Sequence, residues 1–258
     1  KEIKNYKAFP EKEKVYAVIT RLKYKINKPF LNYFRNLKFI LCNTTGIDHI
    51  DEEICKQKNI KILSLKNKKK FMKNINSTSE LTFGLIISLL RKIPSAYNDV
   101  LKLKWRRNLF LGYDLYNSTL GIIGMGRNGL KIAKYAKAFG MKIQYFDKKK
   151  KNIKFIYKSL NTLLKTSNII VCTVNYDIST HNLINERNIK LIKKNAYLIN
   201  TSRANIICEK SLLQALKKKK IAGAALDVLR DEFDIKKSYQ LINYARENNN
   251  LLITPHIG

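Results

Sequence analysis

Three glycines, Gly124, Gly126 and Gly129, stand in the spacing G-x-G-x-x-G within "TLGIIGMGRNG". An apolar run precedes them and a helix-patterned run follows. In that setting the first glycine allows a tight turn and the second keeps a side chain out of the path of a pyrophosphate. The third lets the helix pack close to the strand. The helix start, which includes Arg127 and Asn128, offers backbone N–H groups to an anion. The next strand-like run, "KIQYF", ends at Asp147. A carboxylate there accepts from both hydroxyls of an adenosine ribose and repels a 2′-phosphate, which points to NAD rather than NADP. Lys148, Lys149, Lys150 and Lys151 follow at once. A lysine beside the ribose leaves tolerance of the extra phosphate open as the alternative. A second chemical signal is His256, one of three histidines, in "LLITPHIG". Histidine titrates near neutral pH and suits proton transfer.

These residues need elements to hold them. From residue 119 onward, short apolar runs alternate with helix-patterned ones. The strand candidates are "TLGIIG", "KIQYF", "IIVCT", "AYLIN", "GAALD" and "LLIT". The helix candidates are "GLKIAKYAKAFG", "KSLNTLLKTS", "NERNIKLIKK", "EKSLLQALKKKK" and "YQLINYAREN". That order reads as an α/β fold, a doubly wound parallel sheet covered on both faces. The first crossover helix places Ile132, Ala133, Ala136 and Phe139 on one stripe. Upstream, "VYAVIT", "LKFILC" and "KILSL" are the strands of a smaller α/β unit, and "KNKKK" (66–70) reads as a loop or sheet edge. The polar stretch "KNINSTSE" marks the boundary, with Ser77 or Thr78 as helix cap and Glu80 in the first turn.

Composition narrows the class. A chain of 258 residues accommodates one large domain or two smaller ones. No apolar run reaches transmembrane length, so no membrane partner is expected. Cys42, Cys55, Cys172 and Cys208 form neither a metal-ligand pattern nor a disulfide scaffold, so no metal is expected and a reducing cytoplasm fits. Lys and Arg number 51 against 19 acids, a formal net charge of +32. The excess is mostly lysine spread along the chain with many asparagines and isoleucines, residues that share A- and T-rich codons. The expectation is a solvated lysine surface without a nucleic-acid partner.

Taken in order, "STSELTFGLIISLLRKIP", "TLGIIGMGRNG", "AFGMKIQYFD", "LINTSRANII", "IAGAALDV" and "TPHIG" resemble the D-isomer-specific 2-hydroxyacid dehydrogenase family. The resemblance covers about residues 37–258. It implies a Rossmann-type cofactor domain at 77–256 and a smaller flavodoxin-like substrate domain at 1–76, incomplete at both chain ends. Residues 257–258 would begin the return to the small domain. It also implies NAD as cofactor, a small 2-hydroxy or 2-keto acid as substrate, and a homodimer.

Residue by residue, the resemblance makes Arg203, Glu232 and His256 the catalytic set. Thr173, Val174, Thr201, Asp227 and His256 join the glycine turn as cofactor-facing residues, with Asp227 beside the nicotinamide. Thr44, Thr45 and Gly46 would meet the substrate carboxylate together with Arg203. Thr44 stands where many relatives have glycine, His49 where asparagine is usual, Ala204 replaces a glycine and Cys208 an aspartate. The catalytic types fit reduction of a ketone, in which a hydride reaches the carbonyl carbon, a proton reaches the oxygen and the carboxylate is held. Arginine has the donor fork for the carboxylate, histidine is the proton donor and glutamate orients it. All three follow strands, at the carboxyl ends where open α/β sheets bind ligands. The other reading is an NAD(H)-sensing, corepressor-like interaction protein that keeps the fold. His49 and His181 read mainly as structural and Trp105 as a packing residue. Arg106 and Arg107 either meet an anionic substrate or are solvated.

Overall fold

The computed structural model describes residues 5–20, 24–66, 68–232, 234 and 239–258. They fall into two compact units, Lys1–Ile75 and Asn76–Gly258.

The first unit is a three-stranded parallel sheet. Its elements run β1 (Ala17–Thr20), α1 (Lys28–Tyr33), β2 (Phe39–Cys42), α2 (Glu52–Gln57), β3 (Lys61–Ser64) and α3 (Lys69–Met72), with β2 central. The helices start where side chains satisfy their first N–H groups. Asn27 accepts from the Phe30 N–H with a proline in the first turn, and Asp51 accepts from the Ile54 N–H at 3.0 Å. Phe30, Phe34, Leu31, Ile26 and Ile40 are almost fully buried and anchor this core, each contributing roughly 1.5–3 kcal/mol. The tract 66–70 runs into α3 instead of staying a loop, and its Asn67 lies outside the described residues.

The second unit opens with α4 (Ser77–Leu90) and α5 (Ile93–Leu101). It continues through β4 (Thr119–Ile123), α6 (Arg127–Ala138), β5 (Lys142–Phe146), β6 (Ile156–Tyr157), α7 (Leu160–Thr166) and β7 (Ile169–Cys172). It ends with β8 (Tyr197–Asn200), α8 (Glu209–Lys217), β9 (Gly223–Leu226), α9 (Tyr239–Glu247) and β10 (Leu251–Ile253). All seven strands are parallel, in the order β10-β9-β8-β7-β4-β5-β6. The chain winds outward from β4 to β6, then returns to the other side of β4 and winds out to β10. The strand order therefore reverses between β4 and β7, and their carboxyl ends open the crevice where such sheets hold ligands.

Two cores confirm the double winding. Ile122, Val171, Ile199 and Ala225 pack with α4 and α6 on one face. Ile123, Ile170, Leu198 and Ala224 pack with α7, α8 and α9 on the other. With both faces covered, the strands read as continuous apolar runs.

Four local expectations change. The run "NERNIKLIKK" forms only a 3₁₀ turn at Ile189–Leu191. The Asn185 and Asn188 side chains accept from nearby backbone N–H groups and hold a turn in place of a helix. The strand β6 was not anticipated, because two residues are too short for an alternation signal. Helix α4 starts earlier than Ser77 or Thr78 capping would require. Asn76 is its cap residue but makes no cap bond, and its side chain accepts from Lys131 Nζ instead. Ile132, Ala133 and Ala136 are fully buried, whereas Phe139 closes α6 half-exposed with its ring 4.9 Å from that of Phe83. Among the described residues, no helix is long and apolar enough to cross a membrane.

Candidate active site

The turn after β4 is built by backbone conformation that only glycine accepts easily. Gly124 has φ +95°, and a Cβ there would lie 2.8 Å from the Val174 N. At Gly129 a Cβ would lie 2.3 Å from the Gly124 carbonyl and 3.1 Å from Thr173 Oγ1, so α6 seats against the end of β7 only because this residue has no side chain. A Cβ at Gly126 meets nothing within 4 Å, which leaves open space in front of the turn. Gly126 is also the first residue of the α6 cap, and no side chain caps the helix. Asn128 carries a buried Oδ1 without a hydrogen-bond partner in the same turn. An uncapped helix start behind an open glycine cradle fits a dinucleotide pyrophosphate. Burial lowers Arg127 below its ordinary value. Lys131 is lowered by burial and by its neighbour Arg127, against an opposing effect of Glu80.

Thr173 and Val174 complete the crevice floor. The Thr173 N–H donates to the Ile123 carbonyl at 2.8 Å, and its hydroxyl donates to the Gly124 carbonyl. Asp147 stands at the tip of β5, partly exposed. Its Oδ2 accepts from the Met125 N–H at 3.0 Å and its Oδ1 from the Lys148 N–H at 2.8 Å. Lys151 Nζ lies 3.1 Å from Oδ2. Lys148 reaches away to Asp177 Oδ2 at 2.8 Å, in the loop after β7. The Lys148 ammonium and the Ser179 donors hold the Asp177 carboxyl down at about 2.

The remaining candidates gather at the carboxyl ends of β8, β9 and β10, which are neighbours in the sheet. His256 Nδ1 lies 2.9 and 3.0 Å from the two Glu232 oxygens, and both side chains are about one-fifth exposed. The imidazole is thus held by one edge, with Nε2 at the other. His256 sits in the left-handed region, φ +54°. The short segment around it is held by Asp227, whose side chain is buried to 1% exposure. Asp227 Oδ1 accepts from Thr254 Oγ1 at 2.6 Å and from the Ile257 N–H at 3.0 Å, and Oδ2 accepts from the Gly258 N–H at 2.9 Å. Its own N–H donates to the Asn200 carbonyl at 3.0 Å, joining this loop to the end of β8.

Arg203 follows β8 on a braced turn. Asn200 donates from Nδ2 to the Arg203 carbonyl at 2.9 Å and accepts the Ser202 N–H and hydroxyl at 3.1 and 2.8 Å. Arg203 Nη1 donates to the Ser202 carbonyl at 2.9 Å. Thr201 is fixed from beneath by a buried hydroxyl contact of 2.7 Å with Thr82 of α4.

Thr44, Thr45 and Gly46 lie in the first unit, in the loop after β2. The Thr44 hydroxyl donates to the Gly46 carbonyl at 2.7 Å and lies 3.0 Å from Cys42 Sγ. His49 Nε2 is 3.9 Å from the same sulfur. The side chain that replaces a glycine in this loop is therefore folded back onto the loop itself.

Elsewhere, His181 ends a 3₁₀ turn with its Nδ1 3.1 Å from the Tyr176 hydroxyl. Arg106 is ion-paired with the buried Asp99, so it is not simply solvated. Trp105 does not pack within this chain, being 78% exposed. Sequence reasoning did not single out Thr254, Asp177, Tyr145 or Thr82. Each acts through a contact that no local motif announces.

The profile of the D-isomer specific 2-hydroxyacid dehydrogenase NAD binding domain matches residues 83–258. A relative from Staphylococcus saprophyticus with a provisional 2-hydroxyacid dehydrogenase name is 34% identical over 251 residues, 94% of this chain and 75% of its own. Among solved structures, D-lactate dehydrogenase from Aquifex aeolicus, complexed with NAD and lactic acid, superposes with a TM-score of 0.83 at 33% identity, covering 96% of this chain and 77% of that one. An acyclic imino acid reductase in complex with NADPH and D-Arg gives 0.77 at 30% identity, covering 95% and 76%.

Proposed function

Because the chain belongs to the D-isomer specific 2-hydroxyacid dehydrogenase family, we propose that it interconverts a D-2-hydroxy acid and its 2-keto acid with NAD(H). The bound nicotinamide supplies or accepts the hydride. The two-point contact of Glu232 with His256 Nδ1 carries this reading. It leaves Nε2 as the proton-exchanging atom, the one that gives a proton to the forming alkoxide. In the reverse direction, neutral His256 takes the hydroxyl proton. Arg203 binds the substrate carboxylate with its donor fork and polarises the ketone oxygen, and charge placed there in advance lowers the barrier by several kcal/mol. Thr44, Thr45 and Gly46 are assigned to the substrate carboxylate, and Thr173, Val174, Thr201 and Asp227 to the nicotinamide half of the cofactor site. Asp147 takes the adenosine ribose hydroxyls, which makes NADH the preferred reductant.

NADH oxidation against a panel of 2-keto acids tests the reaction. His256→Ala and Arg203→Ala should each lower turnover about 10²–10⁴-fold while NADH binding, read by fluorescence, persists. Near-wild-type turnover in both variants would show that the site is wrongly assigned.

The same reading places a homodimer in a reducing cytoplasm, without a nucleic-acid partner. Leu103, Trp105, Leu111 and Tyr116 are 97, 78, 69 and 72% exposed, apolar side chains that a second copy of the chain would cover. Light scattering at the mass of one chain would exclude the dimer.

A further inference from the structure

We propose that Thr82 is a positioning residue for the reaction, holding Arg203 in register with His256 through the hydroxyl of Thr201. This goes beyond the roles given to Arg203 and His256 above and rests on them.

Helix α4 lies against β8, β9 and β10, and one turn of it seats both groups. Thr78, Leu81 and Thr82 share a face of that turn, at positions i, i+3 and i+4. Thr82 meets Thr201, two residues before Arg203, at 2.7 Å. Thr78 and Leu81 line the seat of Gly258, two residues after His256. A Cβ on that glycine would lie 2.9 Å from Leu81 Cδ2 and 3.5 Å from Thr78 Cα. The arginine and the histidine are thus referred to one surface, to which neither belongs.

The direction of the hydrogen bonds follows from the proton count. Thr82 Oγ1 donates its one proton to the Thr78 carbonyl, so toward Thr201 it accepts. Thr82 is fully buried and Thr201 is 7% exposed, which leaves little water to compete. A hydroxyl bonded back to the carbonyl four residues earlier does not strengthen a helix. Two buried hydroxyls also stabilise a fold little more than apolar groups of the same shape. What the pair adds is position. Asn200 makes the Arg203 turn rigid from within, and the Thr201–Thr82 bond ties that rigid turn to α4. A displacement of about 1 Å at a reacting group costs on the order of 100-fold in rate.

The experiment compares the wild-type chain with Thr82→Val, Thr82→Ser, Thr201→Val, the Thr82→Val/Thr201→Val double variant and, as a control, Ser79→Ala. Ser79 is as buried as Thr82 and donates to the Asn76 carbonyl at 2.7 Å, so its loss perturbs α4 without touching the Arg203 turn. Each protein is measured for kcat and KM with the best 2-keto acid, for NADH Kd by fluorescence and for Tm. Thr82→Val should lower kcat/KM roughly 10- to 100-fold, with NADH Kd within about threefold of wild type. Thr82→Ser keeps the oxygen and should stay within about threefold in kcat/KM. Ser79→Ala should lower Tm at unchanged kcat/KM. The double variant orphans no hydroxyl and should lose no more than Thr201→Val alone, because Thr82 acts through that partner. It carries the test if Thr82→Val alone does not fold. The proposal is overturned by wild-type kcat/KM in Thr82→Val, by a serine variant as impaired as the valine one, by an equal loss in Ser79→Ala, or by additive losses in the double variant. Turnover retained in His256→Ala and Arg203→Ala would instead overturn the reading of the site. With those two inactive and Thr82→Val fully active, only the positioning role falls.

Discussion

Asp227→Asn separates two roles for one buried residue. The expectation from resemblance puts Asp227 beside the nicotinamide, whereas its carboxylate accepts three hydrogen bonds from the segment that carries His256. Asparagine preserves shape. Its remaining oxygen can serve Thr254 and Ile257, but its NH₂ then faces the Gly258 N–H, donor against donor. One hydrogen bond to a charged acceptor is lost, worth about 1.5–3 kcal/mol. The segment has little reserve, since His256 occupies a left-handed conformation that costs an L-residue about 1–2 kcal/mol. At about 1.4 kcal/mol per decade, the population with His256 against Glu232 falls roughly 10- to 100-fold.

Turnover with the best keto acid should fall by that factor. The imidazole resonances of His256, followed by NMR through a pH titration, should broaden or shift as the Glu232 contact loosens. NADH affinity should hold within about threefold, about 0.6 kcal/mol, which also shows that the fold survives. If turnover stays within about twofold of wild type, the positioning argument fails. If NADH affinity falls by the same factor while the His256 titration is unchanged, Asp227 acts on the nicotinamide and not on the loop.

Three further outcomes follow from the same geometry. Gly129→Ala places a Cβ 2.3 Å from the Gly124 carbonyl, so it should abolish NADH binding and lower Tm by several degrees; a scanning-calorimetry trace like that of the wild type would contradict this. Brief alkylation at neutral pH followed by mass spectrometry should label Cys208 first. Burial pushes Cys208 up, but the Ser211 hydrogen bonds and Arg230 bring it below the ordinary thiol value, whereas burial holds Cys55 up at about 11 and Cys172 at about 12. Labelling of Cys172 in the folded protein would refute that ranking. The Asp177 carboxyl should titrate near 2 by NMR, below its ordinary 3.8. Because the folded value is depressed, its stabilising contribution is complete above about pH 4 and is lost as pH falls through about 2; a midpoint near 4 would show that the Lys148 pair does not form in solution.

The glycine turn was legible because its signal is local. Three glycines, the strand before them and the helix after them fall within 20 residues, and each glycine answers a backbone constraint at its own position. The parallel sheet was legible for a similar reason, since strands covered on both faces must be apolar throughout. The run 185–194 was not, because apolar spacing suggested a helix while two asparagine side chains competed for the backbone.

By itself, the sequence determined which chemical groups this protein has and which strand each one follows, because residue type and period are local properties of the chain. Tertiary structure alone decided what those groups do to one another. It closed Glu232 onto His256, turned the Asp227 carboxylate into the His256 segment and set Lys151 against Asp147. It also joined Thr201 to Thr82, which are 119 positions apart. Such contacts depend on directions in space that only the packed sheet and helices fix, and a hydrogen bond between residues distant in the chain leaves no periodic mark in either partner's neighbourhood.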